Sequence, residues 1–308
     1  MIRSYTKVIL LAGMVAFSGC GSSSDKSYET PIQKVVKTPN SKNNIDTDKT
    51  DIVKQDATFA TIKSMISRSL SGELKDVTYI SIGDSTRAYT NFDGYVNHSE
   101  NIFRDVDATL KQYNVKSFLV AEGGLAFETF LGRHYANDTR DDWINYMRAV
   151  EKIPADGSTT IVNISMISND FSRLNEQYKI QYNITDKTPT DTLVKIYKDH
   201  IYADIHDDLI KVMRETITTL RSYKPNIHIM LTSPNPMQQW EGGSDAYAKV
   251  YQEIADEMNL PYANLVKDKM PKREDKVNFD SWYGDHIHFS TDDGMPATAE
   301  YILDQILP

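Results

Sequence analysis

Five stretches of this chain are short, near-continuous runs of apolar and β-branched residues, at 77–82, 115–121, 160–167, 226–232 and 261–266. Each reads as a strand, and none alternates apolar with polar in the manner of a half-solvated strand. Around them, apolar residues recur at spacings of three and four. Phe59, Ile62, Met65, Ile66 and Leu70 share one helical face, with Gly72 as the stop. Ile102, Val106 and Leu110 mark the buried side of a helix over 100–113, and further helices are predicted over 190–222, 244–258 and 294–307. Alternating strands and helices with near-continuous apolar strands point to a parallel sheet covered on both faces. The pattern predicts an α/β chain, a three-layer α/β/α sandwich on a central, mainly parallel five-stranded sheet. The stretch 133–157, which sets Trp143, Tyr146 and Met147 among charges, reads as a helical insertion.

Composition narrows the partners. The chain has 308 residues, 40% of them hydrophobic, which is enough for a sizeable core. Its formal net charge is -9, and no basic cluster with interleaved aromatics stands out, so nucleic acid is not an expected partner. The single cysteine, Cys20, excludes an internal disulfide and a multi-cysteine metal site.

The N-terminus has an export layout. Arg3 and Lys7 precede an apolar run, 8–17, that is too short to span a membrane, and small residues follow. Phe17-Ser18-Gly19-Cys20 resembles the lipobox of bacterial lipoproteins, with Phe17 where leucine is usual. That resemblance implies a signal peptide over 1–19 and a lipidated Cys20. It also implies an address in the bacterial cell envelope, on the outer membrane or the periplasmic face. The alternative is an ordinary secretory signal. The polar stretch 20–52 reads as a flexible tether, and 53–308 as the folded domain. The membrane would be reached through acyl chains on Cys20.

The first strand stops at Gly83-Asp84-Ser85. Taken alone, this is a turn followed by a helix cap. At a strand end of a parallel sheet, however, it would present a serine hydroxyl at the ligand crevice, where a base could activate it. Near the C-terminus, Asp285-His286-Ile287-His288 offers a base and a carboxylate three residues apart. A carboxylate on one ring nitrogen fixes the tautomer in which histidine deprotonates serine.

Together these motifs resemble the SGNH, or GDSL-like, hydrolase superfamily. The matches are Gly83-Asp84-Ser85, the Gly123-Gly124 region after the second strand, Asn169-Asp170 after the third, and Asp285-x-x-His288, in that order over about 75–305. The resemblance implies a flavodoxin-like sheet and a serine esterase. Ser85 would be the nucleophile, His288 the general base and then acid, and Asp285 the group that orients His288. The oxyanion would be held by the Ser85 N–H, the Gly124 N–H and the Asn169 side chain. Two positions depart from the family pattern. Ile167 stands where Gly-x-Asn-Asp has glycine, and an alternative alignment puts Phe127 rather than Gly124 at the donor position.

The implied substrate is a small-molecule or glycan carboxylic ester, with acetyl esters favoured over lipids, cleaved through an acyl-enzyme. No cofactor or metal is expected, because the His286-x-His288 pair lacks evident further ligands. The rival readings are a catalytically inactive or acyl-transferring envelope protein that binds glycans on the same fold. Arg87 reads equally as an anion-binding or a solvated residue. Trp282, Tyr283, Trp240 and Tyr89 read equally as cleft or packing. The 190–222 region reads as core, with a lipid groove as the alternative.

Overall fold

The computed structural model describes residues 58–84, 102–121, 125–132, 154, 159–223, 226–234, 243–272, 274–284 and 288–308. These all fall in the second of the two units into which the chain divides, Met1–Gln55 and Asp56–Pro308. Four strands of six residues and one of two form a single sheet. They are β1 (Thr78–Gly83), β2 (Lys116–Ala121), β3 (Thr160–Ser165), β4 (Ile227–Thr232) and β5 (Tyr262–Ala263). All pairings are parallel, in the order β2-β1-β3-β4-β5. This is the flavodoxin-like order of a doubly wound sheet.

The helices divide between the two faces. On one face lie α1 (Phe59–Leu70), α2 (Ile102–Lys111) and, later in the chain, α10 (Gly294–Ile306), which packs on both. Ile62, Ile66, Val106 and Ile302 there cover Tyr79, Ile161 and Met230 of the sheet. On the other face lie α3 (Phe127–Phe130), α4 (Ser168–Gln181), α6 (Tyr202–Tyr223) and α7 (Gly243–Met258). Phe171, Leu209, Met213 and Tyr251 there cover Ile80, Ile82, Val162, Ile164 and Ile229. The burial explains the sequence pattern: β1, β3 and β4 are buried at every position, so neither face has reason to be polar. A short α5 (Thr190–Ile196) runs through a π-helical turn, Tyr197–Ile201, into α6. The 190–222 region is core: Leu193, Ile201, Ile205 and Leu209 are all buried.

Within the apolar interior one polar line crosses three strands. Asn163 of β3 donates through Nδ2 to the Tyr79 hydroxyl of β1 at 2.9 Å and accepts from Thr232 Oγ1 of β4 at 2.8 Å.

Three expectations differ from the structure. Leu70, assigned to the buried stripe of α1, is exposed, because the chain turns away at Ser71 and at Gly72, whose φ is +79°. The fifth strand stops at Ala263. Leu265 and Val266 belong instead to a helical turn, α8 (Leu265–Asp268), started by Asn264, whose side chain accepts from Lys267 N at 3.2 Å. The sequence pattern also gave no warning of α9 (Lys276–Ser281), where Phe279 alone is buried. The expected insertion over 133–157 lies outside the described residues apart from residue 154.

Candidate active site

β1 and β3 are neighbours that end level with each other, Gly83 beside Ser165. From this pair the chain proceeds in opposite directions, to β2 on one side and to β4 and β5 on the other. Such a reversal opens a crevice beyond the carboxyl ends of the strands. Asp84, the last described residue of the first motif, is fully buried there. Its Oδ2 accepts from the Ser168 hydroxyl across the gap at 2.9 Å. Ser85 follows Asp84 in the sequence and lies outside the described residues.

The segment after β3 is held firmly. Tyr251 of α7 grips Met166 with one hydroxyl, which accepts from Met166 N at 2.9 Å and donates to Met166 O at 2.5 Å. Ile167 comes next, fully buried, with φ -177° and ψ -22°. That φ is extended backbone, open to any residue, so isoleucine at the family's glycine position brings no left-handed strain. α4 begins directly on Ser168-Asn169-Asp170, the motif at the end of the third predicted strand.

These three residues reach to separate neighbours. Ser168 holds Asp84. Asn169 Nδ2 donates to Leu125 O at 3.1 Å. The fully buried Asp170 accepts through Oδ1 from Phe127 N at 2.8 Å. An asparagine amide has two N–H donors, and the Leu125 bond uses one.

The Asp170 contact bears on the choice of oxyanion donor. The Phe127 N–H is engaged by Asp170, and the Ala126 N–H by Thr129 Oγ1 at 2.9 Å. Phe127 is therefore not placed to give its N–H to an oxyanion. Gly124 itself lies outside the described residues.

Beneath the strand ends sits Tyr247 of α7, about 1% exposed, its ring edge-on to Phe171 at 5.4 Å between centroids. Burial pushes its hydroxyl pKa well above the usual tyrosine value, and the neighbouring Asp84 and Asp170 push it further in the same direction. The phenol stays neutral under the crevice.

His288 stands in the loop between α9 and α10, half-buried. The described arms of that loop, 282–284 and 288–290, pair as a hairpin. Gly284 N donates to His288 O at 2.9 Å, Ser290 N donates to Trp282 O at 2.7 Å, and Tyr283 bridges Phe289 antiparallel. Trp282 and Tyr283 both pack on Phe289, with ring centroids at 5.5 and 5.3 Å, and both are buried. Of their two readings, packing is the one observed. Ser290 ties the hairpin to α10: its hydroxyl donates to Ser281 O at 2.7 Å and accepts from Gly294 N at 3.1 Å. Gly294 lies so close that a β-carbon there would stand 2.3 Å from Trp282 O.

The structure thus joins the strand end that leads to Ser85 with the turn that carries Asn169, and it sets His288 in a braced hairpin. Asp285, Ser85, Gly124 and Cys20 lie outside the described residues, as do Arg87, Tyr89, Trp240 and His286. Among the described residues no group of three or more His, Cys, Asp or Glu could hold a metal, and no helix is long and apolar enough to cross a membrane. Sequence reasoning passed over Ser168, Asp170, Tyr251 and Gly294 as structural parts of the site. Of these, Asp170 stood in a motif, and Ser168 at the variable position of the same block.

No protein-family model matches the sequence, and no curated protein matches it. Among solved structures, one crystal structure aligns with a TM-score of 0.51 at 17% identity, covering 77% of this chain and 97% of its own. An acetylxylan esterase from Geobacillus stearothermophilus, in a catalytic-mutant form, aligns at 0.47 with 15% identity, covering 76% and 95%. A member of the lipolytic protein G-D-S-L family from Veillonella parvula aligns at 0.45 with 14% identity, covering 74% and 97%. At these identities a likeness is one of fold alone.

Proposed function

We propose that this chain is a serine esterase of the SGNH type, acting on an acetyl ester in the bacterial cell envelope. The observation that carries the reading is the Ser168–Asp84 hydrogen bond of 2.9 Å across the β1/β3 crevice. It brings the residue before Ser85 against the residue before Asn169, which supports assigning nucleophile and oxyanion donor to one site at the switch point of the sheet.

In this reading His288 takes the proton of Ser85 as the hydroxyl attacks the ester carbonyl, and Asp285 fixes the imidazole tautomer. The tetrahedral oxyanion is met by the N–H groups of Ser85 and Gly124 and by the Asn169 amide. The bond of Asn169 to Leu125 O holds that amide in place beforehand. His288 then protonates the leaving alcohol. Water, deprotonated by His288, releases the acyl group and restores Ser85. The chemistry needs no cofactor.

Lipidation of Cys20 places the enzyme on a membrane facing the envelope, which favours an O-acetylated glycan as the substrate. Hydrolysis of p-nitrophenyl acetate by the wild type, Ser85→Ala and Asn169→Ala tests the reading. The wild type should turn over and Ser85→Ala should not. Losing one oxyanion donor in Asn169→Ala should lower kcat about 100- to 1000-fold. Equal activity in wild type and Ser85→Ala would overturn the reading. Loss of acyl-label incorporation in Cys20→Ser would support the anchor, and unchanged incorporation would refute it.

A further inference from the structure

We propose that Ser168 is a positioning residue for this reaction, a role that rests on Ser85 being the nucleophile. A serine at the start of a helix ordinarily spends its hydroxyl on the helix itself, accepting from an early backbone N–H. Here it does not. α4 has Ile167 at its N-cap and no side-chain cap, and the Ser168 hydroxyl points away from the helix, donating to Asp84 Oδ2 at 2.9 Å. Both ends of that bond are shielded from water, Asp84 at 0% and Ser168 at 4% exposure. The bond spans 84 residues of sequence and ties together the segments that follow two neighbouring strands, beyond the end of their ladder.

Its position gives it a function. One residue beyond Asp84 comes the nucleophile, and one residue beyond Ser168 comes Asn169. The Asn169 end is fixed from the other side as well, through Leu125 and through the bond of Asp170 to Phe127 N. Met166, two residues before Ser168, is clamped by Tyr251. The turn after β3 is therefore a rigid reference, and the Ser168 hydroxyl transmits its position to the turn after β1. Without it, that direct bond between the residue before Ser85 and the residue before Asn169 is lost.

The test uses the full chain with Ser168→Ala and Ser168→Thr beside the wild type. The readouts are kcat and KM for p-nitrophenyl acetate, the rate of fluorophosphonate labelling of Ser85, and Tm. Misplacing the nucleophile by about 1 Å lowers the rate on the order of 100-fold. Ser168→Ala should therefore lose roughly 10- to 100-fold in kcat, with KM changed less than about twofold. Labelling of Ser85 should slow in parallel. Ser168→Thr, which keeps the hydroxyl, should recover most of both. A purely structural role would lower Tm without splitting kcat from KM, and threonine would not restore the rate selectively. Unchanged kcat and labelling in Ser168→Ala, or equal losses in Ala and Thr, would overturn the positioning role while leaving the esterase standing. A wild type that neither hydrolyses the ester nor labels at Ser85 would overturn both.

Discussion

Replacing Gly294 with alanine should damage the His288 hairpin more than its size suggests. A β-carbon on Gly294 would lie 2.3 Å from Trp282 O, 2.7 Å from Phe289 Cβ and 2.9 Å from Phe289 Cγ. The nearest of these is backbone, so no side-chain rotation relieves it. That same carbonyl accepts the Ser290 N–H at 2.7 Å, one of the bonds that close the hairpin. Relief therefore requires either that α10 move outward from the core that Met295, Ala299 and Ile302 fill, or that the hairpin open.

Overpacking of this kind costs about 1–3 kcal/mol. For a domain of this size, 1 kcal/mol lowers Tm by about 2–4 °C, so the expected fall is about 2–12 °C. If the hairpin yields, His288 shifts with it, and a displacement near 1 Å should lower kcat on the order of 100-fold.

Gly72→Ala is the control. Gly72 has open space around it, and its φ of +79° makes alanine costly there by roughly 1–2 kcal/mol, far from the His288 hairpin in sequence. Thermal unfolding by circular dichroism and ester hydrolysis on the two variants should then separate stability from activity. Both lose Tm, but only Gly294→Ala loses turnover. A Gly294→Ala protein within about 1 °C of the wild type and fully active would refute the close-contact argument.

Other changes probe the core and its charge. Asn163→Ala removes the acceptor of the buried Thr232 hydroxyl and should lower stability by roughly 1–3 kcal/mol, read by chemical denaturation. His228 of β4 is 7% exposed, and burial lowers its pKa. The unfolded chain therefore binds the proton more readily, so this group's contribution is intact above about pH 6.5 and declines as the pH falls below it, by up to about 1.4 kcal/mol per pH unit. His228→Leu should lose less stability than the wild type between neutral and acid pH, and parallel losses would contradict the assignment.

The sheet was legible because its strands are buried on both faces. Nothing in β1, β3 or β4 had to be polar for solvent, so each appears as a largely apolar run, broken only at single positions such as Ser81, Asn163 and His228. The errors came where local chemistry outweighed hydropathy. Leu265 and Val266 continue an apolar run, yet the Asn264 side chain starts a helix there. α9 carries an exposed Val277 and a single buried residue, which leaves no periodicity to read.

The motifs pointed to the strand ends, but how those ends are joined could not be read from them. Ser168 stood in a block defined by its neighbours, and its bond to Asp84 joins residues that no spacing rule connects. Gly294 looked like the first residue of a helix. Its need to be glycine arises from Trp282 and Phe289, which the fold brings to it.

The central claim is that Ser85 is an activated nucleophile. Treatment of the full chain with a fluorophosphonate probe, followed by mass spectrometry of the labelled peptide, tests it most directly. The account predicts a single adduct on Ser85 that is absent from Ser85→Ala and slowed when His288 is replaced by alanine. Ester hydrolysis that persists with no adduct on Ser85, or an adduct on another serine that survives Ser85→Ala, would contradict it.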